Sequence, residues 1–287
     1  MKIKKIVTIS IIAVCGYLLS PATPAVYGAD KISFVIIFLG GPDTGAEGET
    51  IIRQFMGSLS KLSGMKKDSI QGKYFNNIAD AKIYIQQNKN SYIMASIGFY
   101  LANRKSMNLS PLAVVQQQGN DREQYYCIVK KGAHTSLKQL KGKILAGNVL
   151  YEDKKFINTM IFDNKIDISN YFQLKPSNRP LSAIRKLAAG GYDAVLVNYR
   201  EYYSLKNLDL FAKIQVIHES PKMPALGLMM IDTTANRAVK SKVVNAVTRM
   251  CGQPDTKEVC KTFAIDGFDT IDEETLSNEI TKYESAR

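Results

Sequence analysis

The side chains able to do chemistry are few and widely spaced. Only two histidines occur, His134 after a Gly-Ala turn and His218 at the end of an apolar run, and neither has an identifiable partner for general-base work. A zinc site needs clustered His and Cys ligands, and the chain contains no Cys-x-x-Cys. The carboxylate groups Glu47/Glu49, Glu152/Asp153 and Asp272/Glu273/Glu274 fall at expected helix starts. Complementing the helix dipole is the default there, ahead of glycosidase-type acid and base chemistry. Tyr125-Tyr126 and Tyr202-Tyr203 offer adjacent phenols, which suit a hard ferric ion. Neighbours on a strand point to opposite faces, however, and scarce histidine leaves only carboxylates to complete such a site. Gly-x-Ser-x-Gly, Gly-x-Gly-x-x-Gly and P-loop strings are all missing. No catalysis and no resident cofactor or metal are expected.

The chain opens with three lysines in Met1-Lys2-Ile3-Lys4-Lys5, an apolar stretch from Ile6 to Leu19, and the small-residue zone from Ser20 to Ala29. That order is a secretory signal peptide over residues 1–29, with cleavage expected after Gly28 or Ala29. Cys15 follows Val14 where a lipobox wants a small residue, so it belongs to the discarded segment. No later stretch approaches the roughly 18 to 20 apolar residues of a spanning helix, and a periplasmic protein is expected. Without residues 1–29 the balance is 35 basic against 26 acidic residues, net +9. The lysines are scattered, so the excess reads as a solvated surface and not as a nucleic-acid interface.

Three cysteines then remain. Cys251 and Cys260 flank the turn signal Gly252-Gln253-Pro254-Asp255 between two helical patterns, and a disulfide is expected across that hairpin. Cys127, inside Tyr125-Tyr126-Cys127-Ile128-Val129, is expected to be buried and free.

The elements that must position any site alternate. Ile32 to Leu39 reads as a buried strand, followed by a helix from about Glu47 to Leu62 that Thr44 or Asp43 can cap. A helix at Ile78 to Gln87, a strand at Tyr92 to Ser96, a short helix after Gly98 and a strand at Leu112 to Gln116 continue the pattern. After residue 120 it restarts, with strands at Tyr125 to Lys130, Lys143 to Ala146, Ala194 to Val197, Ile214 to Ile217 and Ala225 to Ile231. Helices are expected at Glu152 to Phe162, Pro180 to Ala189 and Asn236 to Met250, and around Lys257 and Glu273. This is an α/β chain of two lobes, each a mixed, mostly parallel sheet flanked by helices, with a ligand cleft between them.

Four strings carry a family likeness. Val216-Ile217-His218-Glu219-Ser220-Pro221-Lys222-Met223-Pro224 looks like a return through a hinge, and Ser136-Leu137-Lys138-Gln139-Leu140-Lys141-Gly142-Lys143 like the opening of a second lobe. Gly190-Gly191-Tyr192-Asp193-Ala194-Val195 looks like a helix-to-strand step, and Phe263-Ala264-Ile265-Asp266-Gly267-Phe268 like a C-terminal ending. With the element order, they resemble the phosphonate-binding-protein-like group of periplasmic solute-binding proteins, which have the type II fold used by ABC importers. The resemblance implies one lobe of residues 30–119 plus 224–287 and another of 120–223. It also implies a small-molecule ligand clamped between them, a monomer, and a membrane permease as partner. A periplasmic sensor or accessory module, for a cofactor or ferric ion, is the alternative, followed by an exported enzyme.

One departure bears on the ligand. Where phosphonate binders of the family carry a Ser/Thr-rich run at a helix start, this chain has Gly147-Asn148-Val149-Leu150-Tyr151-Glu152-Asp153-Lys154-Lys155. Two carboxylates there oppose an anion, so an uncharged, zwitterionic or cationic ligand fits at least as well. Ligand contacts in such clefts come from loops at the C-terminal ends of strands. That rule selects Gly40, Thr44, Ser96, Tyr100, Gln117, Gln118, Asn148, Tyr151, Asn198, Tyr199 and Ser220.

Overall fold

Strand β1 (Ile32–Ile37) is buried at every residue, the mark of a strand inside a sheet covered on both faces. It begins the described part of the computed structural model, residues 31–41 and 44–286; the expected signal peptide and the cap candidate Asp43 lie outside the described residues. The strands that follow are β2 (Ile70–Phe75), β3 (Ser91–Met94), β4 (Leu109–Gln116), β5 (Arg122–Glu123), β6 (Tyr125–Lys130), β7 (Ile144–Gly147), β8 (Gln173–Pro176), β9 (Ala194–Asn198), β10 (Ile214–Glu219), β11 (Met223–Pro224), β12 (Leu226–Ile231) and β13 (Gly267–Thr270).

They form two main sheets, in the orders β13-β4-β12-β3-β1-β2 and β10-β6-β9-β7-β8. In the first, β1 runs parallel to β2 and β3, while β12 is antiparallel to β3 and β4. The second repeats the mixture, with β7 parallel to β8 and β9 and β6 antiparallel to β9 and β10. The chain leaves the first sheet after β4 and returns to it at β12. Both crossings pass through a small antiparallel ribbon in which β5 pairs with β11, Glu123 opposite Met223.

Helices cover both faces by amphipathic patterning. In Ala46–Ser63, Ile51, Phe55 and Leu59 turn inward, and the helix stops at Gly64 in the left-handed conformation. Its N-cap is Gly45, with no side-chain cap bond. Thr44 therefore does not cap it; a residue one step nearer the helix takes the position. The helix expected over Glu152 to Phe162 is a single α-turn, Lys154–Phe156, that widens into a π-turn at Ile157–Ile161. The Phe162 N–H accordingly reaches back five residues to the Ile157 carbonyl.

One apolar cluster is continuous across both sheets. It joins Val35 and Ile93 of the first to Cys127, Leu145 and Leu196 of the second. On the outer face of the first sheet, Phe34 stacks on Tyr92 with ring centroids 5.4 Å apart and packs against Phe55. Cys251 and Cys260 are bridged, with Cα atoms 5.5 Å apart, tying the end of helix Thr234–Met250 to helix Lys257–Thr262. Cys127 is buried and free, and burial pushes its thiol up to about 12. No helix among the described residues is long and apolar enough to cross a membrane.

Candidate ligand-binding site

The ends of β1, β3, β7 and β9 converge with the β5 crossing on a cavity of about 150 Å3. Phe38 and Leu39 follow β1, Ser96 follows β3, Asn148 follows β7, and Asn198 ends β9; all five are at its wall. Gln117, Glu123, Tyr125, Glu152 and Arg200 complete its polar lining. Backbone closeness makes this convergence possible. Gly147 sits at φ 137, and a Cβ there would come within 2.3 Å of the Leu196 carbonyl oxygen, so β7 can approach β9 only with glycine.

Each polar group is held by the local fold. Ser96 is the N-cap of helix Ile97–Asn103: its Oγ accepts from the Phe99 N–H and donates to Glu152 Oε1 at 2.5 Å. Glu152 is only 7% exposed, and its Oε2 is buried with no hydrogen-bond partner. A Cβ on Gly98 would lie 2.7 Å from that oxygen, so the helix start leaves room for the carboxylate only because residue 98 has no side chain. Asn148, 2% exposed, uses its amide nitrogen twice, donating to the Leu39 carbonyl at 3.1 Å and to Glu201 Oε1 at 2.5 Å. Its Oδ1 is buried without a partner. Asn198 and Glu201 form a capping box at helix Tyr199–Leu205, and Glu201 Oε2 receives the Asn198 N–H. Glu123 Oε1 accepts from the backbone N–H of Tyr199 and of Gln124, both at 3.0 Å.

Burial sets the charge states. It pushes the carboxyls of Glu152 and Glu123 up to about 7, against the lowering pull of the Ser96 hydroxyl on the first and of the Tyr199 and Gln124 N–H groups on the second. The buried Glu201 carboxyl is raised and the Arg200 guanidinium lowered for the same reason, the two charges opposing the trend in each other. Arg200 lies over the Phe38 ring, 4.1 Å from its centroid.

Of the residues expected from the strand-end rule, Ser96, Gln117, Asn148 and Asn198 meet at the cavity. The others are not at its wall. Gly40 lines a separate, shallower hollow with Arg179 and Pro180. Thr44 is exposed, Gln118 occupies an exposed turn at φ 53, and Tyr151 is 40% exposed. Tyr100 is wholly buried one helical turn behind Ser96. Tyr199 gives its backbone N–H to Glu123 while its ring packs on Tyr203, centroids 4.2 Å apart. Ser220 is buried at the β10–β11 crossing, accepting the Tyr125 N–H and donating to the Pro221 carbonyl.

Glu152, Glu123, Arg200 and Tyr125 were not among the expected contacts. Glu152 and Asp153 look alike in sequence but divide the work. Asp153 caps the following turn through the Phe156 N–H, while Glu152 turns to the cavity. The adjacent tyrosines separate as a strand requires: Tyr125 faces the cavity and Tyr126 stacks on Tyr202 at 4.2 Å. Neither histidine is at the wall. His218 bonds the Ile161 carbonyl and stacks on Phe162, and His134 lies 3.8 Å from Asp193. Among the described residues no group of three His, Cys, Asp or Glu side chains could hold a metal.

Two sheets joined by a double crossing is an arrangement shared with known proteins. A family described as "ABC transporter, phosphonate, periplasmic substrate-binding protein" matches residues 46–276. The chain belongs to this family. Its fold is that of type II periplasmic binding proteins. A binding-protein component of a phosphonate ABC transporter from Pseudomonas aeruginosa superposes with a TM-score of 0.68 at 15% identity, over 89% of this chain and 86% of that one. PhnD1 from Prochlorococcus marinus, solved in complex with methylphosphonate, gives 0.66 at 13% identity, over 90% of this chain and 100% of that one. A Xanthomonas citri protein solved bound to ATP gives 0.69 at 12% identity, over 90% of this chain and 98% of that one. None of the curated proteins matches this member of the family in sequence.

Proposed function

We propose that this chain, exported through a cleaved signal peptide of residues 1–29, captures a small solute and delivers it to the permease of an ABC importer. The lobes are residues 30–119 with 224–287, and residues 120–223. The β5–β11 ribbon between them is the hinge, and the solute is held at the cavity by Ser96, Gln117, Asn148 and Asn198 together with Glu152, Glu123 and Arg200. Closure needs no chemistry: contacts from both lobes favour the closed form, and that form is the one a permease recognises.

The observation that carries this reading is the cavity itself. Its polar groups come from strand ends of both sheets, and Asn148 of one already bonds the Leu39 carbonyl of the other. A space of about 150 Å3 suits a ligand of a few heavy atoms.

Thermal unfolding of residues 30–287 against phosphonates, sulfonates, amines, osmolytes and carboxylates tests the proposal. One class should stabilise the fold by about 2.7 kcal/mol at a hundredfold excess over its dissociation constant. A flat response to every class would overturn it.

A further inference from the structure

Lysines that lie apart in the sequence are gathered by the second sheet. At the end of that sheet away from the cavity, β6 finishes at Lys130 and β10 begins opposite it at Ile214, and the Lys131 N–H donates to the Lys213 carbonyl at 2.9 Å. Strand β7 begins just after Lys143, and Lys138 and Lys141 come from the short turn that leads into it. Arg185 and Lys186 end helix Pro180–Ala188, close to the same strand ends: a Cβ on Gly190 would lie 4.0 Å from the Lys130 Nζ. All eight side chains are exposed. Strands β10 and β7 are three strand spacings apart, about 15 Å. That span is less than two screening lengths of about 8 Å at physiological salt, so these charges act as one field.

The carboxylates of the same elements do not neutralise that field. Asp193, just before β9, accepts the Ile144 N–H at 2.9 Å, and its other oxygen lies 3.8 Å from the His134 ring. Asp167 caps helix Ile168–Tyr171 and bonds Asn158 and Asn170. Asp209 opens the turn before β10. Among the described residues none of the eight basic side chains is in an ion pair. Eight basic against three acidic groups leave +5 here, out of the +9 of residues 30–287. The kind of charge selects the partner. Seven of the eight are lysines, hydrated point charges on flexible stems, which suit a diffuse layer of anions better than the bidentate grip on a single group that arginine makes. No stacking platform for bases accompanies them, since the half-buried Tyr192 ring lies under Lys186, 4.4 Å from its Nζ.

We propose that this end of the second sheet is a docking surface for the anionic phospholipid headgroups of a membrane face. Each basic side chain near such a surface strengthens binding by about fivefold. Strand β9, 5 residues long, has Asn198 of the cavity wall at its other end, about 15 Å away, so a bilayer held here does not reach the cavity. The proposal does not depend on the solute-binding reading.

Co-sedimentation of residues 30–287 with vesicles of phosphatidylcholine alone, and of phosphatidylcholine and phosphatidylglycerol in equal parts, tests this directly. At about 0.1 M salt the anionic vesicles should bind about tenfold or more tighter than the neutral ones, and about 1 M salt should abolish the difference. The joint substitutions Lys131→Gln, Lys138→Gln, Lys141→Gln and Lys143→Gln should weaken anionic binding by about a hundredfold. Lys66→Gln, Lys67→Gln, Lys240→Gln and Lys242→Gln, which remove the same charge from exposed positions outside the second sheet, should change it by less than about threefold. The comparison of vesicles and salts uses the unaltered chain, so it holds even if a variant misfolds. Equal binding to both kinds of vesicle would overturn the proposal, as would equal losses in the two variants, which would trace the effect to net charge. Stronger binding to poly-glutamate or to duplex DNA than to the anionic vesicles, at equal concentration of negative charge, would also overturn it and assign the surface to a protein or nucleic-acid partner.

Discussion

Glu152 concentrates the account at the residue scale, because its carboxyl is held near 7 by burial while an unfolded chain would titrate it in the ordinary carboxylate range. Between those values the unfolded state has released its proton and the folded state has not, so ionisation favours unfolding. Its contribution to stability is intact at low pH and is lost as pH rises towards and through about 7. Glu152→Gln removes this penalty. Relative to the unaltered protein, the variant should gain about 1–3 kcal/mol between pH 5 and pH 8 in urea unfolding, and an equal offset at both values would contradict the burial argument. Gly98→Ala probes the same carboxylate from the other side. A methyl group 2.7 Å from Glu152 Oε2 and 2.9 Å from the Phe156 ring must displace one of them, at a cost of about 1–3 kcal/mol. Unchanged unfolding and unchanged ligand response would show that the carboxylate does not sit at the helix start. Sequence reasoning reached half of this site. Ser96, Asn148 and Asn198 stand directly after apolar runs, where a strand-end rule finds them. Glu152, Glu123 and Arg200 reach the cavity from a short turn, a crossing strand and a helix start, and nothing in their local pattern separates them from dipole-complementing or surface charges.

At the scale of elements, legibility followed apolar patterning. Tyr125–Lys130 and Ile78–Gln87 have the same bounds in the structure as in the sequence reading, since each is a clear run or stripe. Strand β2, Ile-Gln-Gly-Lys-Tyr-Phe, has polar residues at its centre and gains its place only by pairing with β1 along its whole length. Strands β8 and β13 are short and largely exposed, and they exist as edges added to sheets that other residues built. Helix Tyr199–Leu205 was hidden by its aromatic residues, which suit a strand equally well; the capping box of Asn198 and Glu201 is the signal that could have found it. The disulfide was legible because a turn signal lay between its two cysteines. It closes a loop with a sequence separation of 9, so replacing Cys251 and Cys260 by serine should cost about 2–3 kcal/mol in thermal unfolding. A loss well below 1 kcal/mol would mean that the packing of Val243, Val247 and Val259 against the first sheet already holds the hairpin.

For the whole molecule, the C-terminal helix Ser277–Ser285 provides a second connection between the two proposed lobes, independent of the ribbon. Its Tyr283 hydroxyl donates to Asp153 Oδ1 at 2.9 Å, and Lys282 pairs with Asp163 at 2.7 Å, so a helix that follows β13 grips the turns after β7. Asp153 therefore serves both as a cap and as a tie. Tyr283→Phe should weaken ligand binding about two- to tenfold by loosening the closed arrangement, with little change in the unfolding midpoint of the free protein. Calorimetry on the variant checks this, and an unaltered affinity would place the tie outside the closing motion. The order in which strands join two sheets was not readable from periodicity, which reports faces and not partners; the family likeness implied a chain that leaves one lobe and returns to it, and no strand order. Closure of the two proposed lobes on a ligand is the working step of the proposed function. It is tested most directly by fluorophores on cysteines placed at Lys67 and Lys165, exposed positions on opposite units, with energy transfer followed as ligand is added. The expected result is a single saturable change in distance whose midpoint equals the calorimetric dissociation constant. Saturable binding with no change in distance would contradict it.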